Sequence, residues 1–241
     1  MSSVEQPDSS DFVLIEGLRS TRGALASWRR EPSAVLPGWF AGAGLVAVGL
    51  LAATWVVSRA VTADLTPLLI PGVNVDASVR DYIAILAKNT LVLALHATAC
   101  VAGFIAGSSL PLAAEQMTGF RKLVHERAGP IAIAWVIAVT TFSLVAQAIA
   151  LGFDAATLSR QLGIDSGVLI LTVLPHALLE LTAVFLPLAA WMIASRRREW
   201  GDLLAATIAT TALAFPMILV SALIEVSLWH ELLVLVSPVP S

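Results

Sequence analysis

Residues 167–195 read GVLILTVLPHALLELTAVFLPLAAWMIAS, a run that consists mainly of Leu, Val, Ile and Ala. Among its side chains, the only ionisable groups are His176 and Glu180, which stand four residues apart. A helix of roughly 20 mostly apolar residues is long enough to cross a bilayer. The stretch therefore predicts a transmembrane helix, and it raises the question of why an imidazole and a carboxylate lie within it.

Segments of the same apolar character recur along the chain. Unpaired backbone amides cost several kcal/mol in lipid, so the segments are expected to be helices, which pair these groups internally. The predicted fold is all-α: a polytopic membrane helix bundle with about five transmembrane helices. In addition to 167–195, the predicted spans are residues 37–58, 83–107, 130–151 and 203–225.

The composition agrees with a membrane protein and excludes other classes. The chain of 241 residues is 58% hydrophobic and 13% charged, with a mean hydropathy of +0.86. Such values lie outside the usual range of soluble domains. The basic residues form short clusters rather than a continuous basic face, so nucleic-acid binding is not expected. The single cysteine, Cys100, cannot form an internal disulfide.

The distribution of lysine and arginine predicts the orientation of the chain. Basic residues are retained on the cytoplasmic side of a membrane. In a five-span arrangement, residues 1–36 form a cytoplasmic leader, in part an interfacial amphipathic helix, and residues 37–241 form one membrane domain. The predicted location is a bacterial cytoplasmic membrane, with the N-terminus cytoplasmic and the C-terminus outside. Ten basic residues then fall inside: Arg19, Arg22, Arg29, Arg30, Arg121, Lys122, Arg127, Arg196, Arg197 and Arg198.

A cluster of polar residues is expected in the outer half of the bundle. Ionisable side chains within a bilayer are costly and normally face the bundle interior, where they find partners. His176 and Glu180 share one face of their helix, as residues separated by four do. The similar depth of the others in neighbouring spans predicts an intramembrane cluster of Asn89, His96, His176, Glu180 and Glu225.

Three interpretations of this cluster stay open on the sequence alone. The polar groups could fix helix packing through hydrogen bonds, or line a pocket for a substrate or protons. His96, His176 and Glu180 could also bind a metal ion, because two imidazoles and a carboxylate form some catalytic zinc sites. No HExxH motif supports the metal interpretation, so no cofactor is expected. No catalytic residue is predicted.

A basic segment between the second and third spans is a candidate contact for a cytoplasmic partner. The segment EQMTGFRKLVHERAG contains Arg121, Lys122 and Arg127. A solvated loop at the membrane surface is the simpler interpretation. The expected partners of the chain are the lipid bilayer and other membrane or envelope proteins, and self-association into a homo-oligomer is compatible with such a bundle.

Residues 83–231 resemble the stage II sporulation protein M family of bacterial and archaeal membrane proteins. LPHALLELTAVFLPLAAWM is similar to that family's Leu-Pro-His-Gly segment, in which a glutamate follows, although Ala177 stands where the family commonly has glycine. KNTLVLALHATACVAGFIAG is similar to its helix led by asparagine, and ALIEVSL to its last helix. By this resemblance, the characteristic polar positions are Asn89, His176, Glu180 and Glu225.

The resemblance implies a multi-pass membrane component rather than an enzyme. The family member in spore formers anchors peptidoglycan-degrading partners, and relatives occur beside exporters and in the production of circular bacteriocins. We therefore expect a non-catalytic scaffold or assembly component for envelope or export partners. The alternatives are a transport or peptide-maturation component with a substrate, proton or metal pocket, and an intramembrane metal-dependent hydrolase.

Overall fold

The chain folds into a bundle of long α-helices. The computed structural model describes residues 9–64, 66, 75–76, 78–109 and 119–237, and the side chains among them from residue 19 onward except 109 and 120–127. The helices are α1 (Ser9–Arg30), α2 (Leu36–Ala60), α3 (Val79–Phe104), α4 (Phe120–Leu162), α5 (Ser166–Arg197) and α6 (Leu203–Val236). Helices α2 to α6 are each long and apolar enough to cross a membrane. The predicted all-α, five-span membrane fold is confirmed.

Helix α5 forms the centre of the bundle. It packs against α2, α3 and α6, whereas α4 packs mainly against α2 at the periphery. Consecutive side chains of α5 are buried all around the helix, among them Phe185, Leu186 and Ala189. A helix that is apolar on all sides is expected at the centre of such a bundle.

Small residues bring α2 and α5 into close contact. A methyl group added to Gly42 would lie 3.1 Å from the Cβ atom of Ala189. Ala43 and Ala47, on the same helix, are fully buried. Because lipid provides no hydrophobic force between helices, close backbone packing of this kind is a main source of their association.

Helix α5 runs without interruption through both of its prolines. Pro175 and Pro187 lie inside the helix, so the unwinding that such residues favour does not occur here. Near Pro187, the Cys100 thiol of α3 donates a hydrogen bond of 3.1 Å to the Pro187 carbonyl oxygen. This contact joins α3 to α5 in the core.

We call the end of the bundle at which α2, α4 and α6 finish, and α3 and α5 begin, the distal end. Arg59, at the end of α2, forms an ion pair of 2.6 Å with Asp165, which caps the start of α5. The Ser237 hydroxyl, after α6, donates a 3.1 Å hydrogen bond to the Leu162 carbonyl oxygen at the end of α4. The first contact joins the ends of α2 and α5, and the second joins the ends of α4 and α6.

Two predicted spans are shorter by more than ten residues than the helices that contain them. Helix α4 begins at Phe120 rather than near residue 130 and ends at Leu162 rather than near 151, and α6 continues to Val236. Arg121, Lys122 and Arg127 therefore lie in the first turns of α4, not in a loop, although their side chains are outside the described residues. Charged residues ended the predicted spans, but a helix continues past them where its backbone reaches water.

The leader contains the predicted helix, α1. The Trp28 ring packs edge-on against Trp39 of α2, with ring centroids 5.1 Å apart. The N-terminal part of α6 also contacts α1. The placement of α1 along a membrane surface stays a prediction.

Candidate functional site

A cavity opens among α2, α4, α5 and α6 in the distal half of the bundle, with α3 contributing one side chain. It has a volume of about 370 Å³. By helix rise, its polar lining residues lie from ~9 to ~21 Å below the helix ends. Its polar lining residues are Thr54, Lys88, Asp154, His176, Glu180 and Glu225.

Glu180 is the meeting point of the polar groups. The Asn89 side chain of α3 and the carboxyl group of Glu225 of α6 both lie close enough to the Glu180 carboxylate to interact with it. Lys88 of α3 acts electrostatically on both glutamates. Glu180 therefore faces the bundle interior, and its polar neighbours come from α3 and α6, the two helices that the sequence predicts.

His176 forms part of the cavity wall one turn from Glu180. Its ring is buried and lies 5.6 Å from the ring of Trp229, centroid to centroid. The Trp229 Nε1–H group donates a 3.3 Å hydrogen bond to the Thr172 hydroxyl, which in turn donates to the Leu169 carbonyl oxygen at 2.7 Å. This chain of bonds fixes the indole against the imidazole.

Trp229 is a site residue that the predicted cluster did not include. Its side chain is buried in the cavity wall. The reason is that α6 continues past residue 225 to Val236, which carries Trp229 along the inner face of the helix.

Two further lining residues, Thr54 and Asp154, were not predicted. Thr54 is 4% exposed, and its hydroxyl has no hydrogen-bond partner. Asp154 is exposed and lies beyond the predicted end of the third span. Hydropathy therefore did not include it in a membrane-spanning segment. Only the packing of α2 and α4 against α5 brings both residues to this cavity.

His96 lies apart from the other predicted cluster residues. It faces a second cavity of about 240 Å³ between α3 and α4, with Thr140 and Ser143 in its wall. Its ring packs edge-on against Phe185, with centroids 5.2 Å apart, and neither ring nitrogen has a hydrogen-bond partner. Asn89 and His96 do share a helix face, but two turns separate them by ~10 Å along the axis.

The predicted metal set is not assembled. Within the part of the chain that the structure describes, no three His, Cys, Asp or Glu residues are grouped to bind a metal ion. His96 is separated from His176 and Glu180 because it faces the α3–α4 cavity. The arrangement around Glu180 is instead an open, partly charged pocket with apolar walls.

Comparisons of the chain with family models, curated proteins and solved structures gave no match. The resemblance to the stage II sporulation protein M family therefore stays a prediction.

Proposed function

We propose that this multi-pass membrane protein binds a ligand in the distal cavity, as the non-catalytic binding component of a transport or peptide-maturation system. The observation that carries the proposal is the convergence of Glu180 and Glu225, from two different helices, on one cavity. Carboxylates are costly within a bilayer and mark substrate or ion pathways where they occur.

The cavity has the properties of a ligand site. Its volume of about 370 Å³ lies in the range of small-molecule pockets. Such pockets combine apolar walls with a few polar groups that orient the ligand. The apolar walls here come from Leu51, Leu151, Leu158, Leu169, Val173 and Leu181.

The other candidate functions have less support. An intramembrane metal-dependent hydrolase would need grouped ligands, and His96 lies in a different cavity from His176 and Glu180. The scaffold function and the family resemblance stay predictions. With the N-terminus in the cytoplasm, as the basic residues predict, the distal cavity would face the outside.

Labelling of a cysteine placed in the cavity tests the proposal. We expect Thr54→Cys, in lipid nanodiscs, to react with 2-trimethylammonioethyl or 2-sulfonatoethyl methanethiosulfonate at least about tenfold faster than the native thiol, because thiol reactivity depends on access. The rate is measured by mass spectrometry. The wild-type protein is the control, since its only cysteine, Cys100, is fully buried.

A second variant, Val75→Cys, provides the rate of an exposed thiol, because Val75 is exposed near the distal end. If Thr54→Cys reacted no faster than Cys100 with both reagents, water-borne molecules would not reach the cavity, and the proposal would be wrong.

A further inference from the structure

We propose that the distal cavity selects organic cations, specifically a protonated amine or quaternary ammonium group on an apolar body. This inference rests on the ligand-binding function proposed above and specifies its substrate class.

Negative charge predominates in the cavity. Asp154, Glu180 and Glu225 line it together with one lysine, Lys88, and no arginine, so carboxyl groups outnumber amines by three to one. Lys88 is exposed at its side chain, whereas the two glutamates are partly buried. A cleft lined by one sign of charge and enclosed by apolar walls concentrates ligands of the opposite sign.

An aromatic group in the wall also suits an ammonium ion. The Trp229 indole lines the cavity, and the faces of such rings attract cations. The lining thus offers a cation an aromatic ring in addition to carboxyl groups.

The size and ligand set favour an organic cation over a bare metal ion or a proton. The described residues contain no group of three His, Cys, Asp or Glu suited to a metal ion. A proton would need no space, whereas this cavity holds about 370 Å³ between leucine side chains. An apolar body attached to the charged group would fill that space.

A matched pair of probes tests the inference. We expect 3-phenylpropylammonium to bind the full-length protein in phosphatidylcholine nanodiscs with a dissociation constant at least about tenfold lower than that of 3-phenylpropanoate, measured by isothermal titration calorimetry with empty nanodiscs subtracted. The two probes share one apolar body and differ in charge. Equal affinities, tighter binding of the anion, or binding of neither probe would overturn the inference.

A pair of variants shows whether binding occurs at this cavity. Glu225→Gln should weaken binding of the cation about tenfold. Glu231→Gln, on the same helix but outside the cavity lining and exposed, should leave it unchanged. Equal effects of the two substitutions would contradict the assignment to this cavity.

The labelling of Thr54→Cys separates this inference from the proposed function. Faster reaction with the trimethylammonium reagent than with the sulfonate, each relative to Val75→Cys, supports the cation preference. Equal relative rates would overturn that preference and leave the ligand-binding function intact. Absence of reaction with both reagents would overturn both.

Discussion

Phe185→Ala is expected to lower the free energy of unfolding by about 3–5 kcal/mol. Phe185 is 0% exposed at the centre of α5, and its ring supports that of His96 on α3. Removing it leaves a void whose lining atoms lose their contacts, and this loss persists in a membrane because it does not depend on water. Reversible unfolding in mixed lipid and denaturing detergent measures the change.

Phe142→Ala is the matched control for this prediction. Phe142 is 74% exposed on α4, the peripheral helix, so its ring makes few contacts within the protein. We expect its replacement to change the free energy of unfolding by no more than about 0.5 kcal/mol. Similar losses for both variants would show that α5 is not the packed centre of the bundle.

Gly152→Ala is expected to destabilise the protein by about 1–3 kcal/mol through overpacking between α2 and α4. An added Cβ atom would overlap the Cγ1 atom of Val57 and lie 3.2 Å from the Thr54 carbonyl oxygen. Neither group is the end of a long flexible side chain, so the helices would have to move apart. Thermal unfolding of the variant in nanodiscs measures the loss.

Gly44→Ala separates overpacking from the general effect of replacing a helical glycine. Gly44 lies inside α2, and a Cβ atom there would meet no heavy atom within 4 Å. Alanine reduces the entropy of the unfolded chain, so stability should be unchanged or rise by up to about 1 kcal/mol. A gain of similar size at Gly152 would mean that α2 and α4 are not in close contact there.

Hydropathy predicted the number of membrane helices but not their ends. Each span follows from about 20 apolar residues, because lipid requires a helix of that length. Hydropathy marks where lipid contact ends, whereas a helix ends where its backbone is capped. In α4, the cap is Gly163, which adopts a left-handed conformation twelve residues (163 − 151) beyond the predicted end of the span at 151.

Part of the site was also predictable, for the same physical reason. The cost of a carboxylate in lipid implied that Glu180 has polar neighbours on other helices. Asn89 and Glu225 are two of these neighbours. The rotation of one helix about its axis relative to another is not encoded by spacing within either helix. The sequence therefore grouped His96 with a cavity that it does not face, and it gave no signal for Thr54.

Glu180 points into the bundle, where its carboxylate lies beside the Asn89 side chain. A double-mutant cycle of Asn89→Ala and Glu180→Gln, measured as free energies of unfolding in nanodiscs, tests this placement. Hydrogen bonds between membrane helices couple by about 0.6 kcal/mol on average and by up to about 1.7 kcal/mol, and we expect a coupling energy in that range. Additive effects within about 0.3 kcal/mol would mean that the two side chains do not interact, which would contradict the inward placement of Glu180.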